Sequence, residues 1–284
     1  MVFRKLFAKD LKVIEMKNRF TTFFDEFYYF ADYLSEKGGK VKKSTGKAAS
    51  YRNYLAFFFV LFEENTNLKI TDPASLATYQ LLDNFRQSKG FTEYNKDEHH
   101  YPSASLKCYL AFVSDKAVKN EIFYDVKMNE ESEQQFINET PAEYVVKTDY
   151  SSDDIRKKSK KILLNGRLVY QRSLAEVIKA KEQAGWRCEI NPKHETFIAE
   201  SNDKPYVEAH HLIPMAVQDL FDNTIDFAGN ISCLCPTCHR KIHLAKSPGK
   251  YELVKQLYST RKNKYEDYNL QIDFKQLLNY YRIY

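Results

Sequence analysis

The spacing of apolar positions divides the 284-residue chain into helical stretches and one region where the pattern breaks down. In "RFTTFFDEFYYFADYLSEKGG" (Arg19 to Gly39) apolar residues recur at helical spacing, at Phe20, Phe23, Phe24, Phe27, Phe30, Ala31 and Leu34, and Gly38 and Gly39 supply a stop. "SYRNYLAFFFVLFEE" (Ser50 to Glu64) predicts a second helix, apolar nearly all round and therefore central. "DPASLATYQLLDNFRQSKG" (Asp72 to Gly90) opens with Asp as the expected cap and Pro in the first turn, and closes on Gly. Pro102 to Ala117 makes a fourth helix. Residues 1–128 are thus expected to form a helical domain. From Asn129 to Glu143 the sequence turns acidic and loses its period, and a basic block, "RKKSKK" (Arg156 to Lys161), follows. Residues 129–160 therefore read as an acidic-then-basic linker. A helix over Ser173 to Ala184 leads into "GWRCEINPKH", and amphipathic pieces at Tyr251 to Thr260 and Phe274 to Ile283 complete a second domain over 161–284. The expected fold class is mainly α with a small α+β part.

Composition narrows the classes. The longest apolar run, Tyr54 to Phe62, is shorter than the ~20 residues that span a bilayer. The first residues carry charges every few positions, unlike a secretory signal. A soluble, cytoplasmic protein with no membrane partner is the expectation. Residues 151–284 carry 22 Lys+Arg against 16 Asp+Glu (+6), and residues 1–150 carry 21 against 22 (−1). A polyanionic partner suits the second half.

That half also holds four of the five cysteines, Cys188 to Cys238, a clustering that suggests metal over disulfides. Cys235 and Cys238 form a CxxC pair, half of a tetrahedral site. Upstream, "CEINPKH" offers Cys188 and His194; Asn191 stands where a second CxxC would put its cysteine, and Cys233 is the reserve for the fourth place. Cys108, alone on an apolar helix, reads as core. His239 and His243, four apart in "CHRKIH", would share one face of a helix and could grip one cation. His210 and His211, in the extended segment "EAHHLIPM", would point to opposite sides, which suits one as a ligand and its neighbour as a free base. His99 and His100 lack any convergent partner in the sequence and read as a loop or cap.

Taken together, "YVEAHHLIPM", "GNISCLC" and "PTCHRKIH" resemble the HNH nuclease motif, the ββα-metal finger of nuclease colicins, many restriction enzymes and homing endonucleases, over Trp186 to Leu244. The resemblance implies a zinc-stabilised ββα-metal nuclease domain with His211 as general base and Asn230 bracing the loop that bears it. It implies His210, His239 and His243 as ligands of the catalytic metal, with Cys188, His194, Cys235 and Cys238 holding structural zinc. Many members carry Asp at the position of His210, and the all-histidine version looks most like the colicins. Three imidazoles favour Zn, Ni or Mn over Mg, although the family is often active with Mg. Arg240, Lys241 and the block containing Arg156, Lys157 and Lys158 could hold phosphates, the block reading equally as a solvated face, and Glu208 could orient an Arg or a ligand histidine.

The first domain is similar, more faintly, to the helical core-binding domain of tyrosine recombinases, in "SYRNYLAFF", "ITDPASLATYQLL" and "SASLKCYLAFV"; a regulatory or dimerising role is the alternative. "KGGKVKKSTGK" (Lys37 to Lys47) would suit phosphate contact or a plain surface loop. The function expected is a metal-dependent endonuclease acting on DNA, duplex in preference to RNA, in restriction or anti-phage defence. A zinc-finger-like binding module without catalysis and an RNA nuclease are the alternatives. Specificity or restraint must then come from the first domain, from a second copy of the chain or from a defence-system partner protein.

Overall fold

The computed structural model describes residues 3–37, 46–119, 121–138, 157–164 and 167–284. The chain is mainly helical and forms two compact units, one ending at Ala117 and one running over Val118–Ile283. The first contains α1 (Leu11–Arg19), α2 (Thr21–Lys37), α3 (Lys47–Thr66), α4 (Leu76–Arg86), α5 (Phe91–Asp97) and α6 (Tyr101–Val118), whose last residue belongs to the second unit. The predicted central helix is α3: Leu55 to Phe62 are all buried, and Phe59 meets Phe23, Phe24 and Tyr109. The cap of α4 is Ser75, whose side chain accepts from the Thr78 N–H, and the expected cap Asp72 instead accepts from the Ala74 N–H in the preceding turn. His99 and His100 lie between α5 and α6 with φ of 53° and 64°, a loop as expected.

The second unit contains α7 (Glu121–Asn138), a hairpin of β1 (Lys161–Leu164) and β2 (Arg167–Tyr170), α8 (Leu174–Gln183), β3 (Glu208–His211), β4 (Ile231–Leu234), α9 (Pro236–Leu244), α10 (Ser247–Asp267) and α11 (Phe274–Tyr280). β3 and β4 pair antiparallel, His210 opposite Ser232 and His211 opposite Ile231. Met128 from α7, Val177 and Ala180 from α8, and Ala209, Ile231 and Cys233 from the sheet share one apolar core. α7 departs from expectation. The acidic stretch expected to begin a linker at Asn129 is helical through Asn138, and its buried residues bind β3, so the expected boundary at residue 128 falls inside a helix. Charge on the solvent face of α7 hides its contact face from a reading based on apolar period. Residues 139–156, the remainder of the expected acidic stretch and Arg156 of the basic block, lie outside the described residues, as do most of the Lys37 to Lys47 turn. No helix of the described residues is long and apolar enough to cross a membrane.

Candidate metal centre

Two clusters of metal-capable side chains flank the β3–β4 pair. In the first, Cys188, His194, Cys235 and Cys238 bring their ligand atoms within 4.8 Å of one another. His194 Nδ1 lies 3.4 Å from Cys235 Sγ and 3.5 Å from Cys238 Sγ. A tetrahedron with ordinary Zn–N and Zn–S lengths has an N···S edge of about 3.6 Å, so the residues fit zinc. Cys235 doubles as the N-cap of α9, with Pro236 in the first turn, which turns both CxxC sulfurs the same way. Glu189 holds the other end: its carboxylate receives the Cys233 N–H at 2.7 Å and Arg261 at 2.7 Å through both oxygens. Cys233, the reserve candidate, is not in the cluster; it belongs to the apolar core, and burial pushes its thiol up to about 12. Cys108 is likewise buried, its thiol also raised to about 12 by burial.

The second cluster contains a residue that the sequence did not disclose. Asp125, on α7, joins His210, His239 and His243. Asp125 Oδ2 lies 3.0 Å from His210 Nδ1, 3.2 Å from His243 Nε2 and 3.5 Å from His239 Nε2, and the three ring centroids are 4.8 to 5.3 Å apart. Burial alone would raise the Asp125 pKa, but Arg172, which pairs with Oδ1, and the three histidines hold it well below the usual carboxylate range. Arg172 also reaches Glu121 at 2.7 Å, four residues before Asp125 on the same helix face.

Protonation states follow from the partners. A carboxylate only accepts, so the 2.5 Å contact between Glu208 Oε2 and His239 Nδ1 puts a proton on Nδ1. His239 Nε2 remains, buried and without a hydrogen-bond partner. A carboxylate on the far nitrogen is how a ligating imidazole is usually oriented. With Glu208 and Asp125 both close, the His239 pKa rises to about 9 despite burial, so with no cation bound Nε2 carries a proton at neutral pH, and a divalent cation would take that proton's place. His210 goes the other way: burial lowers it to about 3, against the pull of Asp125. Its Nε2 is 2.7 Å from the Tyr281 hydroxyl, which is also 2.8 Å from the Leu212 carbonyl. When that hydroxyl donates to Leu212, neutral His210 carries its proton on Nε2 and turns the Nδ1 lone pair toward Asp125 Oδ2. Two acceptors then face each other at 3.0 Å, an arrangement that a shared cation relieves. The donor set and the orphaned nitrogen together fit a divalent cation.

His211 faces the other way from His210, as adjacent strand residues do. Its Nε2 is 2.8 Å from Asp226 Oδ1, and Asp226 Oδ2 accepts the Ser173 N–H at 2.6 Å. His211 Nδ1 is buried, unpartnered and 4.0 Å from Asp125 Oδ1. Asn230 ties the following loop: Oδ1 accepts the Ile213 N–H at 2.8 Å, and Nδ2 donates to the carbonyls of Ile213 and Ile225 at 3.0 and 2.7 Å. The glycine before it has a steric cause, since a Cβ at Gly229 would lie 2.7 Å from the Phe227 ring, which is itself stacked on Tyr268 at 3.6 Å. Arg240 and Lys241 are exposed on α9, Lys157 is exposed and Lys158 half-buried before β1.

Comparisons with known proteins add one partial likeness. No known family profile matches the chain, and no solved structure matches it. Over 77 residues the chain is 34% identical to the type IV methyl-directed restriction enzyme EcoKMcrA of Escherichia coli (strain K12), a match covering 27% of this chain and 25% of that protein. The chain thus spans about a quarter of that relative's length, and over that part it is distantly similar to a restriction enzyme.

Proposed function

We propose that the protein is a metal-dependent endonuclease of the HNH type that hydrolyses DNA phosphodiester bonds in restriction or anti-phage defence. The observation that carries this reading is the pairing of His211, with one nitrogen held by Asp226 and the other bare, with a cluster of four metal-capable side chains one residue away. His210, His239, His243 and Asp125 would hold the divalent cation, whether Mg, Mn, Ni or Zn, and Cys188, His194, Cys235 and Cys238 a structural zinc. Bound there, the cation supplies neutralisation of charge on the phosphate and the departing oxygen. Everything else falls to the chain. His211 Nδ1 takes a proton from water, the water oxygen bonds to phosphorus in line, and the bond to the 3′ oxygen breaks, that oxygen taking a proton from solvent, which leaves 5′ phosphate and 3′ hydroxyl. Asp226 fixes the His211 tautomer and stabilises the imidazolium. Asn230 keeps the strand and the following loop in register. His210, His211 and His239 are fully buried, so the side chains around Asp125 must part before a phosphate meets His211.

Cleavage of supercoiled plasmid with each metal, comparing the wild type with His211→Ala, tests the reading. Loss of the base is expected to slow cleavage on the order of 10³-fold. A wild type that cuts with no metal, or a variant that cuts equally well, would defeat it. Since the relative is methyl-directed by name, methylated and unmethylated plasmids are both used. Cleavage of RNA in preference to either would reassign the substrate.

A further inference from the structure

His210 differs from its neighbours in what faces its second nitrogen. One nitrogen of His211 and one of His239 meet carboxylates, whereas His210 Nε2 meets the hydroxyl of Tyr281. A carboxylate only accepts, so it keeps a proton on the nitrogen it faces. A phenol both donates and accepts, and with an ordinary pKa of about 10 it is a neutral hydroxyl at pH 7. The Tyr281 hydroxyl lies 2.7 Å from His210 Nε2 and 2.8 Å from the Leu212 carbonyl, so its single proton has two acceptors within reach.

The backbone fixes this hydroxyl in place. Tyr281 ends α11, and just past it the Ile283 N–H donates to the Leu278 carbonyl and the Arg282 N–H to the Asn279 carbonyl, both at 3.0 Å, with Arg282 at φ 59°. Two such bonds around a left-handed residue lock the C-terminus of a helix. Leu277, Tyr280 and Tyr281 are all buried, so α11 carries the hydroxyl to the histidine cluster and holds it there.

Two arrangements then satisfy both ring nitrogens of His210. With no cation, Nδ1 carries the proton and donates to Asp125 Oδ2 at 3.0 Å, while the Tyr281 hydroxyl donates to Nε2. With a cation on the cluster, the Nδ1 lone pair is needed for ligation; Nε2 then carries the proton and donates to the Tyr281 oxygen, whose own proton turns to Leu212. The imidazole is neutral in both, because the proton that leaves Nδ1 for solvent is matched by one that arrives at Nε2. A carboxylate in place of the hydroxyl would allow only the second arrangement, and an apolar group would leave Nε2 unpaired in either.

We infer that Tyr281 is a positioning residue of the cation site: by donating or accepting, its hydroxyl lets His210 exchange its hydrogen bond to Asp125 for a cation held through Nδ1. The inference rests on the cation site of the nuclease reading and deepens it by naming what orients His210.

The test follows zinc binding in the full chain, already carrying the one equivalent held by the cysteine cluster. Further zinc is added in a calorimeter, and nitrogen NMR of labelled histidine records which nitrogen of His210 bears the proton before and after. Tyr281→Phe is expected to keep the first zinc and to bind the added zinc about 10–100-fold more weakly, the scale on which loss of a partner behind a ligating histidine is felt. Tyr258→Phe loses a hydroxyl bond of 3.0 Å to the Ile272 carbonyl and is expected to bind added zinc as the wild type does, which separates loss of a hydroxyl–carbonyl bond from loss of the His210 partner. In the wild type the His210 proton is expected on Nδ1 before the added zinc and on Nε2 after it, a reading that does not depend on the variant folding. Unchanged affinity in a Tyr281→Phe variant that keeps its first zinc, or a proton on the same nitrogen in both wild-type states, overturns this inference alone. A wild type that binds no added zinc overturns it too, and one that also cuts DNA with no metal takes the nuclease reading with it.

Discussion

Asp226 and Glu208 do the same thing to two different histidines. Each places a carboxylate on one ring nitrogen and leaves the other, His211 Nδ1 in one case and His239 Nε2 in the other, without a hydrogen-bond partner. His239 Nε2 faces the Asp125 cluster, and in the proposed mechanism His211 Nδ1 is the nitrogen that takes a proton from water. Asp226→Asn separates tautomer from packing: an amide nitrogen that donates to His211 Nε2 would force the proton onto Nδ1. The expected outcome is a kcat lowered on the order of 10²–10⁴-fold with KM and metal content unchanged. A variant with unaltered kcat would assign Asp226 a purely structural part. The histidines, the CxxC pair and Asn230 are legible in the sequence because their spacing is local, within Cys188 to His243. Asp125 is not, because it comes from 85 residues before His210 and no local pattern marks it.

Among the elements, α7 binds the site most tightly to the rest of the unit. Glu121, Asp125 and Asn129, spaced by four, lie along one helix face and serve the loop after β3, the histidines and β3 itself. Asn129 exchanges two hydrogen bonds with the backbone of Ala209, at 2.7 and 3.0 Å, where a neighbouring strand would otherwise sit. Asn129→Ala would leave a buried N–H and a buried carbonyl unpaired and is expected to destabilise the second unit by about 2–5 kcal/mol. Denaturant unfolding measures this, and a change below about 0.5 kcal/mol, the size typical of surface substitutions, would mean the bonds are replaced. The polar stripe is present in "EIFYDVKMNEES" for a reader who looks for buried polar residues at helical spacing. Apolar period, the usual guide, finds α3, α6 and α8 and passes over it. The hairpin of β1 and β2 escapes the same guide: its four-residue strands are too short for alternation to stand out.

On the scale of the whole molecule, the two units rely on different means of cohesion. The first is held by phenylalanine and tyrosine rings packed against one another around α3, most of them tilted or edge-on. The second has an apolar core around β3 and β4 and a cluster of three cysteines and a histidine that brings α9 together with the Cys188 loop. About one tightly held zinc per chain is expected by metal analysis, kept in His211→Ala and lost when Cys235 and Cys238 are both changed to Ser. Hydrogen exchange after chelation should then show protection collapsing in the second unit while the helices of the first keep theirs. Retention of zinc by the double cysteine variant would place the ion elsewhere.

The dependence on α7 also bears on how the proposed activity could be inherited or moved. The stretch from Trp186 to Leu244 carries every motif by which the site is recognised, yet it lacks Asp125, Asn129 and Arg172. As a portable cassette, copied into another chain or cut out at the acidic stretch, it would arrive with the proposed ligand set short by one and its first strand bare on one side. The smallest piece that would keep the whole proposed site is therefore the longer one that begins ahead of α7, and recombination that split it between Asn129 and His210 would separate a lock from its key.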